Sequence, residues 1–329
     1  MKSKIAIIGA GLSGLSAAHL LKDFADITLF EKARGVSGRM STRRSGPYFF
    51  DHGAQYFTAR TKPFKDFIQP FLDQGIIERW NARHVIFKGN KIVGRTNWAE
   101  GEPRYVGVSG MNQVNKYISS ELKIHINTRI VSLNHQGAWQ LTDEQGQQYS
   151  DYDWVICTAP SPQAAELLPE SFKYHADIKA IKMSSCFSLM LGFEQSFTTQ
   201  FDAAHVTHSD LSWIAFNVHK PKRPDPFTLL VHSSEKYAEA HIDDDRDQVM
   251  EYLIAETSRT IGCDASTADY QAIHAWRYAN NEYKKQKIPP FIDQDLKLAA
   301  CGDWCLGGGV EGAFTSAYDL TKHMKGSAL

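Results

Sequence analysis

Lys4-Ile5-Ala6-Ile7-Ile8 runs directly into Gly9-Ala10-Gly11-Leu12-Ser13-Gly14, and a second apolar run, Ile27 to Phe30, ends on the acid Glu31. Strand, glycine loop, helix, strand and acid in this order describe a dinucleotide-binding unit. The first glycine permits a tight turn out of a buried strand, the second lets the backbone approach a pyrophosphate, and the third lets the helix pack close to the strand. The helix, expected over residues 12–24, carries Leu12, Leu15, Ala18 and Leu21 on one face and aims its first N–H groups at the phosphates. Glu31 stands about twenty residues beyond the loop, where ribose hydroxyls would donate to it.

The next segment, Lys32-Ala33-Arg34-Gly35-Val36-Ser37-Gly38-Arg39-Met40-Ser41-Thr42-Arg43-Arg44, is a second glycine loop carrying arginines. A guanidinium there suits bidentate neutralisation of the pyrophosphate from its far side. Near the other end, Leu298-Ala299-Ala300-Cys301-Gly302-Asp303-Trp304 reads as a short buried strand ending in Gly-Asp. Gly307-Gly308-Gly309-Val310-Glu311-Gly312-Ala313 follows, then a helix with Ala313, Ala317, Leu320 and Met324 on one face. A long cofactor laid across the sheet needs both ends. Asp303 suits its ribityl or pyrophosphate region, and a helix start near Gly312 suits a flavin edge that becomes anionic on reduction. Glu31, Gly38 and Arg39 together resemble the FAD-binding signature of the glutathione-reductase-like flavoproteins, particularly the branch that holds the amine oxidases.

The 329 residues, 43% of them hydrophobic, suffice for one large core or two, and two interleaved domains are expected. A net charge of −1 with no basic block gives no sign of nucleic acid or a membrane surface as partner. Five cysteines, an odd number without a C-x-x-C pair, fit a reduced cytoplasm. Cys301 and Cys305 lack neighbouring ligand pairs and read as packing residues rather than a metal site. Lys2 and Lys4 before an apolar stretch imitate a signal peptide, but the spaced glycines argue for a nucleotide loop.

Residues 110–122 read as a helix, Lys123 to Asn127 as a strand, and Ile130 to Leu133 with Ala138 to Leu141 as a hairpin around Asn134-His135-Gln136-Gly137. Trp154 to Cys157 is a continuous apolar run, as in a parallel strand covered on both faces, and Ser161-Pro162 is expected to cap a short helix. Beyond Met183 the pattern changes: Ser184 to Phe193 alternates, Leu211 to Val218 and Phe227 to His232 read as strands, and residues 243–261 read as one amphipathic helix stopped by Gly262. The expected fold is α/β, an FAD-binding Rossmann-like domain with an inserted α+β substrate domain on a mixed sheet. Residues 1–60, 107–160 and 296–329 are assigned to the first domain, residues 61–106 and 161–295 to the second, with the flavin at the seam.

Taken whole, the chain resembles the renalase family, most closely its bacterial members. The stretches that carry this are the opening glycine motif, Gly38 to Ser41, Gly53-Ala54-Gln55-Tyr56-Phe57-Thr58-Ala59-Arg60, Arg104 to Gly107, Trp276-Arg277-Tyr278-Ala279, Cys301-Gly302-Asp303-Trp304-Cys305 and Val310 to Ala313. The resemblance implies an oxidase with non-covalent FAD. Its substrates would be misreduced nicotinamides, the 2- and 6-dihydro isomers of NAD(P)H, giving NAD(P)⁺ while molecular oxygen becomes hydrogen peroxide. Gly9, Gly11, Ser13, Gly14, Glu31, Lys32, Gly38, Arg39, Gln55, Asp303, Val310, Gly312 and Ala313 are expected at the flavin, with Ile130 beside the adenine. Tyr56, Phe57, Thr58, Ala59, Arg60, Trp276 and Tyr278 are expected at the substrate. Aromatisation drives the hydride transfer, so no catalytic base is assigned, and His232 and His274 read as lone histidines beside presumed pocket strands. One departure stands out: Gly309 occupies the position where an arginine is expected in bacterial relatives. The alternatives are a flavin amine oxidase or a flavin-binding protein without turnover.

Overall fold

The structure is a computed structural model that describes residues 2–224, 226–282 and 288–326. The opening strand, Ser3–Ile8, pairs in parallel with Ala25–Phe30 on one side and Trp154–Cys157 on the other. Lys123–His125 and Leu298–Ala300 extend the parallel set outward, and Phe291–Asp293 closes one edge antiparallel. This six-stranded nucleotide sheet explains the solid apolar runs. Ile5 to Ile8 and Trp154 to Cys157 are buried throughout because helices pack on one face and a three-stranded sheet with short helices packs on the other.

The first helix spans Leu12–Leu21 rather than reaching residue 24. Phe24 donates its amide to Leu21 in a closing turn and exposes its ring, so its apolar character marks a surface position. The helix packs on the C-terminal helix Gly309–Gly326, with Leu15, Ala18, Leu21, Phe314, Ala317 and Leu320 in one core. A hairpin sheet, Ile130–His135, Trp139–Asp143 and Gln148–Tyr152, lies beside the nucleotide sheet and shares a second core with Ala6, Ile8 and Val155. Ser161 does not cap its helix from outside. It is the first residue of Ser161–Leu167, and its hydroxyl donates to the Ile181 carbonyl at 3.1 Å.

The second sheet has seven strands in the order Tyr270–Asn281, Met183–Phe193, Phe227–Ser233, Leu211–Phe216, Ala203–Thr207, Arg83–Lys88 and Lys91–Asn97. All neighbours are antiparallel except Ala203–Thr207 with Arg83–Lys88, so the sheet is mixed. Met183–Phe193 is buried along almost its whole length instead of alternating with solvent. One of its faces packs on helices and the other on the nucleotide-binding part, so a polar face here means a cleft and not water. The helix expected over residues 243–261 runs Arg246–Ile261, and a separate short helix, Glu235–His241, precedes it. Asp245 caps the longer one through the Asp247 and Gln248 amides, and Gly262 ends it at φ 72°. Among the described residues, no helix is long and apolar enough to cross a membrane.

Candidate active site

A cleft of about 1890 Å³ runs from the glycine loop to the inner face of the seven-stranded sheet. Drug-sized pockets span roughly 300–1,000 Å³, so this one has room for a large cofactor and a second ligand.

At the nucleotide end, Gly9 turns at φ 104°, and a Cβ on Gly14 would collide with the Gly9 carbonyl. Gly11 differs: a Cβ there would meet nothing within 4 Å, because its surface is the open cleft. Behind Gly11 the helix starts without a side-chain cap and with no acid in its first turn, leaving N–H groups for an anion. Glu31 is buried and accepts the Ala10 and Ala33 amides at 2.8 Å each, and its carboxylate oxygens keep lone pairs for hydroxyl donors. Arg39 forms a bidentate pair with Asp303 and donates to the Ala279 carbonyl at 2.9 Å, tying the second glycine loop to the C-terminal Gly-Asp turn. Ser13 donates to the Ala313 carbonyl at 2.7 Å. The bare helix start, the open Gly11 and the lined-up carboxylate fit the pyrophosphate and ribose of FAD.

Of the residues expected at the flavin, all but Gly14 and Gly312 line the cleft. Gly14 lies behind the loop, where it allows the close approach of helix and strand. The C-terminal helix begins at Gly309 and not at Gly312. Gly307, Gly308 and Gly309 all have positive φ, 80°, 96° and 82°, so the backbone before Val310 adopts a conformation that an arginine at position 309 would strain. Ile130 lines the far end.

The substrate end is built by the second sheet. One rank of residues in register crosses five strands: His274 opposite Ser188, Ser188 opposite His232, His232 opposite Trp213, and Trp213 opposite His205. Trp213 reaches this face through a bulge. Leu211 to Trp213 spans two residues against the single step from Ser233 to His232, so Leu211 packs on the helices while Trp213 faces the nucleotide-binding part. His52, from the loop before Gly53, stacks on Trp276 with centroids 5.1 Å apart and accepts the Trp276 indole N–H at its carbonyl, 2.8 Å away. Tyr56 packs edge-on against Trp98 and beside Trp213, and the Arg104 guanidinium lies 4.1 Å over the Trp98 ring. His205 is held from behind: its Nδ1 lies 2.8 Å from Nε2 of His84, whose Nδ1 contacts the Thr96 hydroxyl at 3.0 Å.

Burial keeps these imidazoles neutral. Desolvation, then His274 and Arg43, lowers His52 to about 4, and burial lowers His232 to about 4. Desolvation with His205 and Arg104 lowers His84 to about 4, and His205 and His274 shift the same way.

Of the residues expected at the substrate, Tyr56, Trp276 and Tyr278 line the cleft, whereas Phe57, Thr58, Ala59 and Arg60 do not. Phe57 is buried against Phe64 and Tyr105. Arg60 lies on the surface in a bidentate pair with Glu102, and its amide donates to Glu311.

Beneath the cleft floor is a charge cluster that the motifs did not single out. Asp51, Lys220 and Arg223 have fully buried side chains, with the Asp51 carboxylate 3.2 Å from the Lys220 ammonium and 2.6 Å from the Arg223 guanidinium. Burial opposes ionisation of Asp51, but Lys220 and Arg223 hold its carboxyl well below the usual range. Thr42 and the Met111 amide complete its coordination, and Lys220 also donates to Gln55 Oε1 at 3.2 Å. Gln55 lines the cleft; Lys220 does not. Asp51 sits two residues before the quoted Gly53 stretch, and its isolation from other charges in sequence was the available signal.

Residues 7–71 match the NAD(P)-binding Rossmann-like domain family, and residues 86–320 match the family of flavin containing amine oxidoreductases. Curated relatives match over short stretches. Coproporphyrinogen III oxidase of Staphylococcus aureus is 30% identical over 96 residues, 28% of this chain and 21% of that protein. A possible lysine-specific histone demethylase 1 of Drosophila melanogaster is 45% identical over 56 residues, 17% of this chain and 6% of that protein. The matches thus span about a fifth or less of these relatives' length. Among solved structures, a putative protoporphyrinogen oxidase from Exiguobacterium has a TM-score of 0.79 at 13% identity, over 99% of both chains. Wild-type putrescine oxidase bound to putrescine has a TM-score of 0.71 at 12% identity, again over 99% of each. These likenesses are of fold. The family match covers more than two thirds of the sequence, and with the FAD-shaped cleft it makes this chain a member of the flavin containing amine oxidoreductase family, with FAD as its cofactor.

Proposed function

We propose that this protein is an FAD-dependent oxidase of dihydronicotinamide dinucleotides, acting on the 2- and 6-dihydro isomers of NAD(P)H and passing the electrons to oxygen as hydrogen peroxide. The observation that carries this reading is the charge of the substrate end. Its wall is aromatic rings and neutral imidazoles. The only carboxylates lining the cleft among the described residues are Glu31, Glu166 and Asp303, all with the nucleotide-end residues. Arg43, Arg44 and Lys116 also line the cleft, and none of them has an ion-pair partner among the described residues. Arg43 is near enough to lower His52 and His274, and Arg44 near enough, after burial, to lower Lys116. Such a substrate end favours a flat ring attached to an anion and, away from Glu31, Glu166 and Asp303, offers a polyamine no carboxylate.

FAD supplies a two-electron acceptor at flavin N5. The chain's residues hold the ring flat against the Trp213 and Trp276 wall, exclude water from it, and neutralise the phosphates through Arg43 and Arg44. No side chain needs to remove a proton first, which fits a wall of imidazoles held neutral. Interleaved FAD and substrate domains, joined at this cleft, belong to the same reading.

The test is anaerobic mixing of the yellow holoenzyme with candidate reductants. The 2- and 6-dihydro isomers should bleach the flavin within seconds, with 4-dihydro NADH far slower. The ring carbon near N5 must lie roughly 3 to 3.5 Å away, and a pocket set for carbon 2 or 6 leaves carbon 4 out of reach. Bleaching by primary amines alone would favour an amine oxidase, bleaching by a porphyrinogen alone would favour the chemistry in the names of two matched proteins, and no bleaching by any of these would favour a binding protein.

A further inference from the structure

The rank of side chains on the inner face of the second sheet continues past the cleft to the edge of the sheet. Four imidazoles line the cleft among the described residues, His52, His205, His232 and His274, and His205 is the exposed one. It is also the one hydrogen-bonded to a further imidazole: its Nδ1 lies 2.8 Å from Nε2 of His84, and Nδ1 of His84 lies 3.0 Å from the Thr96 hydroxyl. His84 is 6% exposed, is covered by the stacked ring of Trp98 at 5.0 Å, and does not line the cleft. Thr96 is exposed again and belongs to Lys91–Asn97, the strand that ends the seven-stranded sheet. Register holds the three together: Ala203, two residues before His205 and so on the same face, opposes His84, and His84 opposes Thr96. The result is a hydrogen-bonded line, open to the cleft at one end, open to solvent at the other and sealed in the middle.

We infer that Thr96, His84 and His205 carry a proton from solvent at the sheet edge to the substrate end of the cleft, where His205 Nε2–H donates it. The need for a proton rests on the reading above. A dihydronicotinamide and oxygen give NAD(P)⁺ and hydrogen peroxide only with one proton added: the hydride carries two electrons and one hydrogen off the ring, both electrons end on oxygen, and the second hydrogen comes from water. The carboxylates of the cleft lie at its other end, so the donor here is an imidazole. As the new O–H bond forms, His205 loses its Nε2 proton and gains one at Nδ1 from His84 Nε2, His84 gains one at Nδ1 from the Thr96 hydroxyl, and water resupplies Thr96. A neutral imidazole serves as donor at one nitrogen and acceptor at the other, so the shift reverses both tautomers without leaving a charge on either ring. That suits two rings held below their ordinary value by burial, with Arg104 as the one permanently charged side chain that shifts either of them. The tautomers return when product leaves and water refills the cleft.

The test loads electrons into the holoenzyme with dithionite, so that no substrate has to be assumed, and follows the return of flavin absorbance on mixing with oxygen from pH 6 to 9. His205→Ala should slow reoxidation about a hundredfold at pH 8, the lower end of what a positioned proton donor contributes, and added imidazole should restore much of the rate. Thr96→Val, at an exposed edge position, should slow it by a smaller factor that grows with pH, as protons reaching the cleft directly become scarce. A readout without turnover is the nitrogen NMR spectrum of the isotope-labelled, oxidised holoenzyme. A scalar coupling between His84 Nε2 and His205 Nδ1 is expected, and Thr96→Val should shift the tautomer balance of both rings together. The inference is overturned by reoxidation unchanged in His205→Ala, by a loss that imidazole does not rescue, by rates and ring signals indifferent to Thr96→Val, or by a reduced holoenzyme that oxygen does not reoxidise. The two proposals fail separately. Bleaching by the dihydro isomers with normal reoxidation of His205→Ala leaves the reaction standing and removes the proton route; an imidazole-rescued loss without such bleaching leaves the route and removes the substrate.

Discussion

The two ends of one cleft are built in opposite ways. At the nucleotide end, Gly9, Gly11, Ser13, Glu31 and Arg39 come from one stretch of about thirty residues, closed by a single distant turn at Asp303. At the substrate end, neighbouring members of the rank are contributed by five strands, and Ser188, His205, Trp213, His232 and His274 meet only because the sheet register aligns them. Local backbone geometry makes the first kind of site; strand pairing makes the second. A local site should therefore fail one ligand at a time, and a register-built site should fail through the packing beneath it.

The largest expected effect lies beneath the cleft floor. Asp51→Ala leaves the Lys220 and Arg223 charges buried and unpaired, and should cost about 3–5 kcal/mol of stability, measured by guanidinium unfolding. A loss below about 1 kcal/mol would show that the cluster hydrates when Asp51 is removed, and that the floor is softer than the packing suggests.

Next is the nucleotide end. Arg39→Ala should weaken FAD retention by about 1.5–3 kcal/mol through loss of a charge-assisted contact, and Arg39→Lys should recover only part of it because a point charge cannot replace the fork. Equilibrium dialysis of FAD against the variants measures this. Unchanged affinity would leave Arg39 as a tie between Asp303 and the Ala279 carbonyl only.

Acidification should strike the substrate end first. His52 and His232 are lowered to about 4 from an ordinary 6.5, so the unfolded chain takes up protons between these values while the folded one does not. Their contribution is therefore complete above pH 6.5 and is lost as pH falls towards 4, on the order of 1 to 2 kcal/mol for each imidazole by pH 5. Asp51 does not cancel this, because its depressed carboxyl stays ionised in the folded state and an unfolded aspartate titrates only near 3.8. Urea midpoints at pH 7.5, 6 and 5 should fall, and His232→Gln should flatten the slope. A flat profile in the unaltered protein would mean that the imidazoles are hydrated.

The smallest effect is expected at Arg60. It pairs with Glu102 on the surface, away from the cleft, so Arg60→Ala should leave FAD affinity and flavin bleaching within about twofold. A large rise in KM for a dinucleotide substrate would extend the functional cleft to this surface.

Much of the nucleotide end was legible because each of its requirements is local: Gly9 for a positive φ, Gly14 for close packing, Glu31 at a strand end. In sequence, Tyr56 to Arg60 reads as one substrate stretch, although of these only Tyr56 lines the cleft. The chain there leaves the floor after Tyr56, burying Phe57 and sending Arg60 to the surface. In sequence, His232 and His274 are lone histidines, and the bulge that brings Trp213 beside His232 leaves no mark in the amino-acid order. Asp51 and Lys220 are 169 residues apart, and only their shared burial reveals them as partners.

By itself, then, the sequence determined the glycine loops, the parallel apolar strands and the closing Gly-Asp turn, because these depend on φ angles, side-chain volume and short-range periodicity. The tertiary structure alone decided which imidazoles are neutral, which indole N–H is left unpaired and which charges are buried together. Those properties depend on desolvation and on which strand lies opposite which, and both are set by contacts between residues far apart in the chain.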